Sequence, residues 1–508
     1  MPARTGRWRG LRLDLWGVAL ALLALVVFLL HGFGGALSRD LALYAYAGQQ
    51  AADGVAPYVA VLNRAGPLAH LVPAVGVLGA RAVGADELTG MRVLFMVLSI
   101  ACVWVLYLLG RDVYRSRLAG ATSAVALLAF EGFVLYATGG PREKTTMVLL
   151  VTLALLATTR SRWATAGALT ALATLTWQPA LFLGAAAALG GTLALDRSRW
   201  FRDLVRFALG GIAVSVGCIV VFWVWGALDE LYEGFVGINS SYTDQPGILE
   251  SLRVEPTIIT EGFGWTTWLV VVGLGLLALV SLLWLVPAVR RRDLAEPSLM
   301  AVAAGGVGSA LWSLRAFNGW GDLMVFLPVA ALGFGGLVAL TRRVLLPRRP
   351  RLADGLVLAL ITGGILVSVV TALTTRVDTL DQQRADVEAV FALVPDDATV
   401  VSIGAPQPLV LTGRTNPFRH QMFLTGLTDY VDDTWPGGIE GFVDDVEAAQ
   451  PTFITMDHPT WYPFINDEIA QHYTMIGASD QFYWYVRNDV GEEKIAELQA
   501  ALDYTPAG

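Results

Sequence analysis

Lysine is almost missing from this chain: Lys144 and Lys494 are the only two in 508 residues. Charged side chains of all kinds make up 15% and hydrophobic ones 55%, with a mean hydropathy of +0.57. A soluble chain of this size needs about 25% charged residues to cover its surface. A soluble globular protein is therefore excluded, and a polytopic α-helical membrane protein is implied. Cysteine is equally scarce. Cys102 and Cys218 both fall inside apolar runs and read as packing residues, which leaves neither a disulfide framework nor a cysteine metal cluster. None of the five histidines has the His/Asp/Glu spacing of a metal site. No glycine-rich phosphate loop follows a strand, no Ser-His-Asp arrangement is suggested, and no internal repeat or low-complexity tract occurs.

What is present is a series of twelve apolar runs. They lie near 15–34, 67–84, 91–110, 118–138, 145–159, 164–177, 180–195, 207–228, 265–288, 298–314, 323–341 and 354–374. Arg4, Arg7, Arg9 and Arg12 precede the first, which has no small-residue cleavage site and reads as a retained anchor. Arginine clusters follow at 111–117, 160–162, 197–206, 290–292 and 342–351. With the N-terminus inside, all five clusters are cytoplasmic only if the run Pro67–Gly84 lies in the outer interface instead of crossing. Eleven spans result. The segment Asp229–Glu261, with seven acids and one arginine, then faces outward, as its charge requires.

The last 133 residues have a different character. Residues 376–508 hold 22 acidic and 6 basic side chains, a net of −16 against +8 for the rest. The pattern predicts a small α/β domain, with a helix over Asp378–Ala392. Strands are predicted over Thr399–Ile403, Thr452–Met456 and Phe482–Val486. The expected organisation is a membrane unit, 1–375, with external loops 35–90 and 229–264, followed by an extracytoplasmic α/β domain, 376–508. The N-terminus is expected in the cytoplasm.

Groups capable of chemistry collect on the outer side. The first loop carries Asp40, Tyr44, Tyr46, Gln49, Tyr58, Asn63, Arg64 and His70. A short turn carries Arg142-Glu143-Lys144, two cations where the positive-inside bias disfavours them. Trp177-Gln178-Pro179 joins two short spans, and a late turn carries Trp320 and Asp322. Simpler roles exist for each. Asp40 suits the first turn of a helix over 41–52, Arg64 can snorkel to lipid phosphates, the tryptophans suit an interfacial belt, and a histidine on an apolar stretch is usually hydrogen-bonded in place.

The order of these features resembles the GT-C membrane glycosyltransferases, in the branch of protein O-mannosyltransferases and lipid A aminoarabinose transferases. The residues carrying the likeness are Arg39-Asp40, Tyr44, Tyr46 and Gly48-Gln49, then Asp53-Gly54, Pro57-Tyr58 and Asn63-Arg64-Ala65-Gly66-Pro67-Leu68, with Arg92 opening the second span. The likeness runs over about residues 15–200, weakens towards 341, and leaves the tail uncovered. Two positions depart from the family pattern. Leu41 replaces the second acid of the Asp-Glu pair, and Ala65-Gly66 stands where the family has Lys-Pro, with Arg64 one position early.

The resemblance implies transfer of a sugar, with inversion, from a polyprenyl-phosphate monosaccharide to an acceptor hydroxyl on a glycan, lipid or protein. Asp40 is the expected general base and Glu143 the next candidate. Arg64, Arg142 and Lys144 are the expected phosphate ligands, Arg64 having the best claim because it lies nearest the family's lysine position. Tyr44, Gln49, Tyr58, Asn63, His70, Trp177, Gln178 and Asp322 are expected to face substrate. The lipid-linked sugar is a substrate, no cofactor and no nucleic-acid partner are expected, and dependence on a divalent metal is left open by the residues. A transporter or flippase, and a non-catalytic scaffold presenting the acidic tail, are the alternatives.

Overall fold

The computed structural model describes residues 14–243, 257–424 and 426–504. Arg4, Arg7, Arg9, Arg12 and residues 244–256 of the expected external loop lie outside the described residues. Ten helices carry the chain through its first half. They are α1 (Leu15–His31), α2 (Arg39–Ala52), α3 (Leu68–Val83), α4 (Glu87–Tyr114), α5 (Arg117–Leu128), α6 (Glu131–Gly139), α7 (Glu143–Thr159), α8 (Trp163–Thr174), α9 (Ala180–Leu195) and α10 (Trp200–Trp225). Local signals set their ends. The carboxylate of Asp86 accepts from the Thr89 N–H at 2.8 Å and caps α4. Gly84, with φ +68°, closes α3 in the left-handed conformation that an L side chain resists.

Further on come α11 (Thr267–Leu285), α12 (Leu299–Ser313), α13 (Leu327–Leu340) and α14 (Pro350–Thr374). Five described helical stretches are long and apolar enough to cross a bilayer: Glu87–Tyr114, Arg197–Trp225, Thr257–Leu285, Trp320–Leu345 and Pro350–Thr374. Their packing differs sharply. The apolar window of Trp320–Leu345 is 89% buried and that of Arg197–Trp225 only 6%. The first is the centre of the bundle. The second turns Leu209, Ile212, Val216 and Ile219 outward, where only lipid can cover them. Helices α8 and α10 touch backbone to backbone: a Cβ on Gly167 would sit 1.8 Å from the Phe207 carbonyl oxygen, so glycine alone permits the crossing.

The run 118–138 is not one continuous helix. It divides into α5 and α6, bent by 68°. Glu131 opens α6, and its N–H donates to the Thr266 hydroxyl at 3.1 Å. A carboxylate is stabilised at a helix start, so Glu131 begins a new helix where a continuous span would have placed it mid-run. Expected runs such as 67–84, 164–177 and 180–195 form helices of 12 to 16 residues. At ~1.5 Å per residue these are shorter than the ~30 Å hydrocarbon core. By length and composition five described helices, or six counting the bent pair as one span, are long enough to cross, with shorter apolar helices beside them.

The tail builds a four-stranded sheet of order β1-β2-β4-β3, with β1 (Val400–Ile403), β2 (Phe453–Met456), β3 (Tyr473–Ser479) and β4 (Phe482–Arg487). β1 and β2 are parallel and the other neighbours antiparallel, with Val401 opposite Ile454 and Ile454 opposite Tyr485. β3 was not among the predicted strands; its alternation is broken by a bulge between Met475 and Gly477. α15 (Leu380–Phe391) packs beside the sheet. The sheet's core is continuous with the first loop: Leu43, Tyr46 and Met91 share one buried cluster with Val387, Leu409 and Trp484.

Candidate active site

The first loop is held in place by its own polar groups. Asn63 Oδ1 accepts from the Ala65 N–H at 3.0 Å and meets His70 Nε2 at 3.3 Å. The Tyr58 hydroxyl donates to the Ala65 carbonyl at 2.7 Å, and its ring lies 5.1 Å from His70. The loop then docks on the turn between α8 and α9. The Gly66 N–H donates to the Thr176 carbonyl at 3.1 Å, and a Cβ on Gly66 would stand 2.0 Å from the Leu175 carbonyl oxygen. Gly66 therefore permits the contact that brings Trp177 and Gln178 beside the loop. Gln178 Nε2 donates to the Arg64 carbonyl at 2.7 Å.

α2 presents Asp40 and Tyr44, four residues apart, on one face. Opposite them lies the turn between α6 and α7. The result is a chain of alternating charges. Arg39 reaches Asp457 of the tail at 3.0 Å and Asp40 at 3.1 Å. Arg142 binds Asp40 at 2.5 Å and lies 3.3 Å from Glu143. Lys144 lies 3.3 Å from Glu143 and 2.8 Å from Asp322. Asp322 also accepts from the Asn318 N–H at 3.0 Å. Aromatic faces complete the wall: Lys144 Nζ stands 3.7 Å over Trp177, Arg142 lies over Tyr44 and Tyr136, and Tyr136 stacks on Trp320 at 4.4 Å.

These groups surround a cavity of about 740 Å³. Asp40, Tyr44, Asn63, Arg64, Arg142, Glu143, Lys144, Trp177, Gln178 and Asp322 all line it. They are not equivalent. The side chain of Asp40 is 30% exposed and that of Glu143 only 4%, enclosed by Arg142, Lys144 and Tyr44. Burial would raise the Asp40 carboxyl, but Arg142 and Arg39 outweigh it and hold the group well below the usual carboxylate range. Asn63 Nδ2 is a buried donor without a partner among the described residues. Arg64 directs its guanidinium to the Tyr242 carbonyl at 3.0 Å, so it stands at the loop's edge, apart from the chain of charges.

Three expected substrate residues do not line the cavity. Gln49 donates to Glu87 at 2.8 Å and to the Val410 carbonyl at 3.2 Å, tying α2 to α4 and the tail. It follows Asp40 by nine residues, two and a half helical turns, and so occupies the opposite face. Tyr58 and His70 brace the loop. Burial pushes His70 down to about 3, which leaves the ring neutral and of no use as a phosphate-binding cation. Sequence reasoning in turn missed Arg39 and Tyr136 as parts of this wall, and Asp457, which backs Arg39 from behind it. Arg39 was signalled by its place next to Asp40; Asp457 had no local signal at all. Among the described residues, Glu447, Glu468 and His472 of the tail lie close enough together to hold an ion, but none of them lines the cavity.

Solved structures share this architecture. ArnT from Cupriavidus metallidurans in the apo state superposes with a TM-score of 0.63 at 13% identity, over 97% of this chain and 99% of that one. ArnT bound to undecaprenyl phosphate gives 0.64 at 14% identity over the same shares. An oligosaccharyltransferase of Archaeoglobus fulgidus, in complex with zinc and sulfate, gives 0.54 at 12% identity, over 93% of this chain and 73% of that one. The chain has the GT-C fold. No protein-family profile matches it and no curated protein does by sequence, so the likeness rests on structure.

Within this GT-C fold, the sheet-bearing tail places a charge behind the wall of the cavity, against Arg39. Asp457 is nearly enclosed, and besides Arg39 it accepts from the Tyr462 hydroxyl at 2.6 Å. It touches Arg39, which in turn touches Asp40, and so stands where it can position that carboxylate. Asp457→Asn should lower turnover about tenfold, the worth of one charge-assisted hydrogen bond, with the donor KM little changed. Asp457→Glu should restore part of the loss. A fall in thermal stability with an unaltered rate per folded molecule would show that Asp457 only fastens the tail.

Proposed function

We propose that this chain is a glycosyltransferase that moves a sugar from a polyprenyl-phosphate donor to an acceptor hydroxyl, inverting the anomeric centre, with Asp40 as general base. The single observation that carries this is one cavity in which an accessible carboxylate touches a buried arginine and lies in a row with a buried lysine, between aromatic walls. The solved ArnT bound to undecaprenyl phosphate supports a lipid-phosphate ligand for a cavity in this fold.

The residues divide the work. The donor phosphate competes with Asp40, Glu143 and Asp322 for the N–H groups of Arg142 and Lys144, with Arg64 at the loop's edge. Each N–H that turns from Asp40 to phosphate makes Asp40 a stronger base, so binding of the donor prepares the carboxylate. The acceptor oxygen attacks the anomeric carbon and its proton passes to Asp40. The bond from that carbon to the phosphate oxygen breaks, and its electron pair stays on the phosphate, where Arg142 and Lys144 stabilise the growing charge. Trp177, Trp320 and Tyr136 offer flat faces to the sugar's C–H side. No step assigned here draws on a cofactor.

The test is acceptor-dependent release of free polyprenyl phosphate when the purified full chain, in lipid nanodiscs, is given a polyprenyl-phosphate mannose. A protein that carries this lipid across vesicles without cleaving it would be a flippase, and one that does neither a scaffold. The same reading places the cavity and tail on the outer face, following the arginine clusters. A cysteine at Glu440 should then be labelled from outside intact cells and one at Arg117 should not; labelling of Arg117→Cys from outside would reverse the orientation.

A further inference from the structure

The cavity has two chemically different ends. One end holds Arg142, Lys144 and the tryptophans. The other surrounds the linker from Gly32 to Ser38, between α1 and α2; Arg39 lines it, already engaged by Asp40 and Asp457, and Arg92 lies beneath the linker on the Phe33 and Gly35 carbonyls. Its lining is His31, Thr375, Thr379, Asp480 and Gln481. Arg376, next to this lining, is taken up by Asp378 at 2.9 Å.

This second end is built and firmly held. The turn between β3 and β4, Asp480-Gln481, is fastened to the linker by Gln383. Gln383 Nε2 donates to the Asp480 carbonyl at 2.7 Å and to the Leu37 carbonyl at 3.1 Å, and its Oε1 accepts from the Leu37 N–H at 2.9 Å. Leu37 is three residues from Asp40. The Thr379 hydroxyl accepts from the Ala36 N–H at 3.2 Å. His31, 8% exposed, meets the Thr138 hydroxyl through Nδ1 at 2.7 Å and is further held by the backbone of Gly32 and Thr375.

We propose that this end is the acceptor subsite and that it takes a neutral, hydroxyl-rich glycan. The proposal rests on the glycosyl-transfer reading above. Asp480 and Gln481, joined by a hydrogen bond from Gln481 Nε2 to the Asp480 carboxylate at 2.9 Å, offer an acceptor-rich planar carboxylate beside an amide, the groups that pair with vicinal hydroxyls. An anionic acceptor would meet Asp40 and Asp480, while Arg39 is held between two carboxylates and Arg92 lies buried beneath the linker, donating to the Phe33 and Gly35 carbonyls, beside a tail of net charge −16. A glycan seated here extends a hydroxyl towards Asp40, across from the end where a phosphate would lie.

The test uses the purified full chain in nanodiscs and mannotriose as probe, with its 6-phosphate and a serine/threonine peptide as rivals. Saturation-transfer NMR without donor should show saturable binding of mannotriose and none of the phosphate. Gln481→Ala and Asp480→Asn should each weaken it about tenfold, the loss of a well-made hydrogen bond. In transfer assays the same variants should raise the KM for the trisaccharide in proportion. Equal binding by the variants, or preference for the phosphorylated sugar or the peptide, overturns the proposal. Mannotriose that binds at this end while the donor is never cleaved removes the glycosyl-transfer reading and leaves the subsite. Donor cleavage without trisaccharide binding removes the subsite and leaves the reading.

Discussion

Asp40→Asn should cost ~10²–10⁴ in turnover, the usual worth of a positioned general base, and leave expression and folding close to normal. Asparagine keeps the size and still accepts a hydrogen bond from Arg142. The two arginines are not stranded by the change: Arg39 retains Asp457, and Arg142 retains Glu143. No second acid stands beside it in the motif, because the next residue is Leu41, and Glu143 is enclosed. A variant that keeps most of its turnover would place the base elsewhere. The pH profile carries a matching expectation. Arg142 and Arg39 hold the Asp40 carboxyl below its ordinary value, so its charge is present above that value and is lost only as pH falls through the lower one. The kcat/KM profile, which reports the free enzyme, should therefore show no acid limb from Asp40 above about pH 4.

Arg142→Gln should have the second large effect, on stability and catalysis together. Its side chain is 13% exposed and serves Asp40 and Glu143 at once. Its removal leaves Asp40 with Arg39 alone and Glu143 with Lys144 alone, so the cost stays below the ~3–5 kcal/mol of a buried charge left with no partner. The melting temperature of the detergent-purified protein should fall clearly. In folded molecules the loss of a charge-assisted contact to the leaving phosphate should lower kcat/KM for donor by about 1.5–3 kcal/mol, roughly ten- to a hundredfold. Arg142→Lys should recover stability better than rate, because lysine keeps the charge but not the planar fork. Unchanged stability and unchanged donor kinetics in Arg142→Gln would return this residue to a headgroup contact.

Several parts of this picture were legible in the residues alone because they are short-range properties. The helix carrying Asp40 follows from an acid at its head and the spacing of Tyr44 and Tyr46. Strands at 400–403, 453–456 and 482–487 lie where apolar runs meet proline and glycine turns. Even the misplacement of Gln49 had a readable sign, since nine residues put it on the far face of α2. The break between α5 and α6 was harder. An acid in an apolar run is compatible with a buried partner or a new helix start, and only packing against Thr266 distinguishes them.

By itself, the sequence determined the membrane class, the helical runs, the acidic tail and the one loop that places a carboxylate ahead of an aromatic helix. Hydropathy and helix periodicity depend on near neighbours, and near neighbours are what a sequence displays. The tertiary structure decided which charges meet. Arg39 and Asp457 are 418 positions apart, Lys144 and Asp322 lie on different turns, and the Asp480-Gln481 hairpin reaches the first loop only because Gln383 bridges to Leu37. Pairing a charge depends on three-dimensional distance and on what burial leaves without water, and neither is a property of any local stretch of chain.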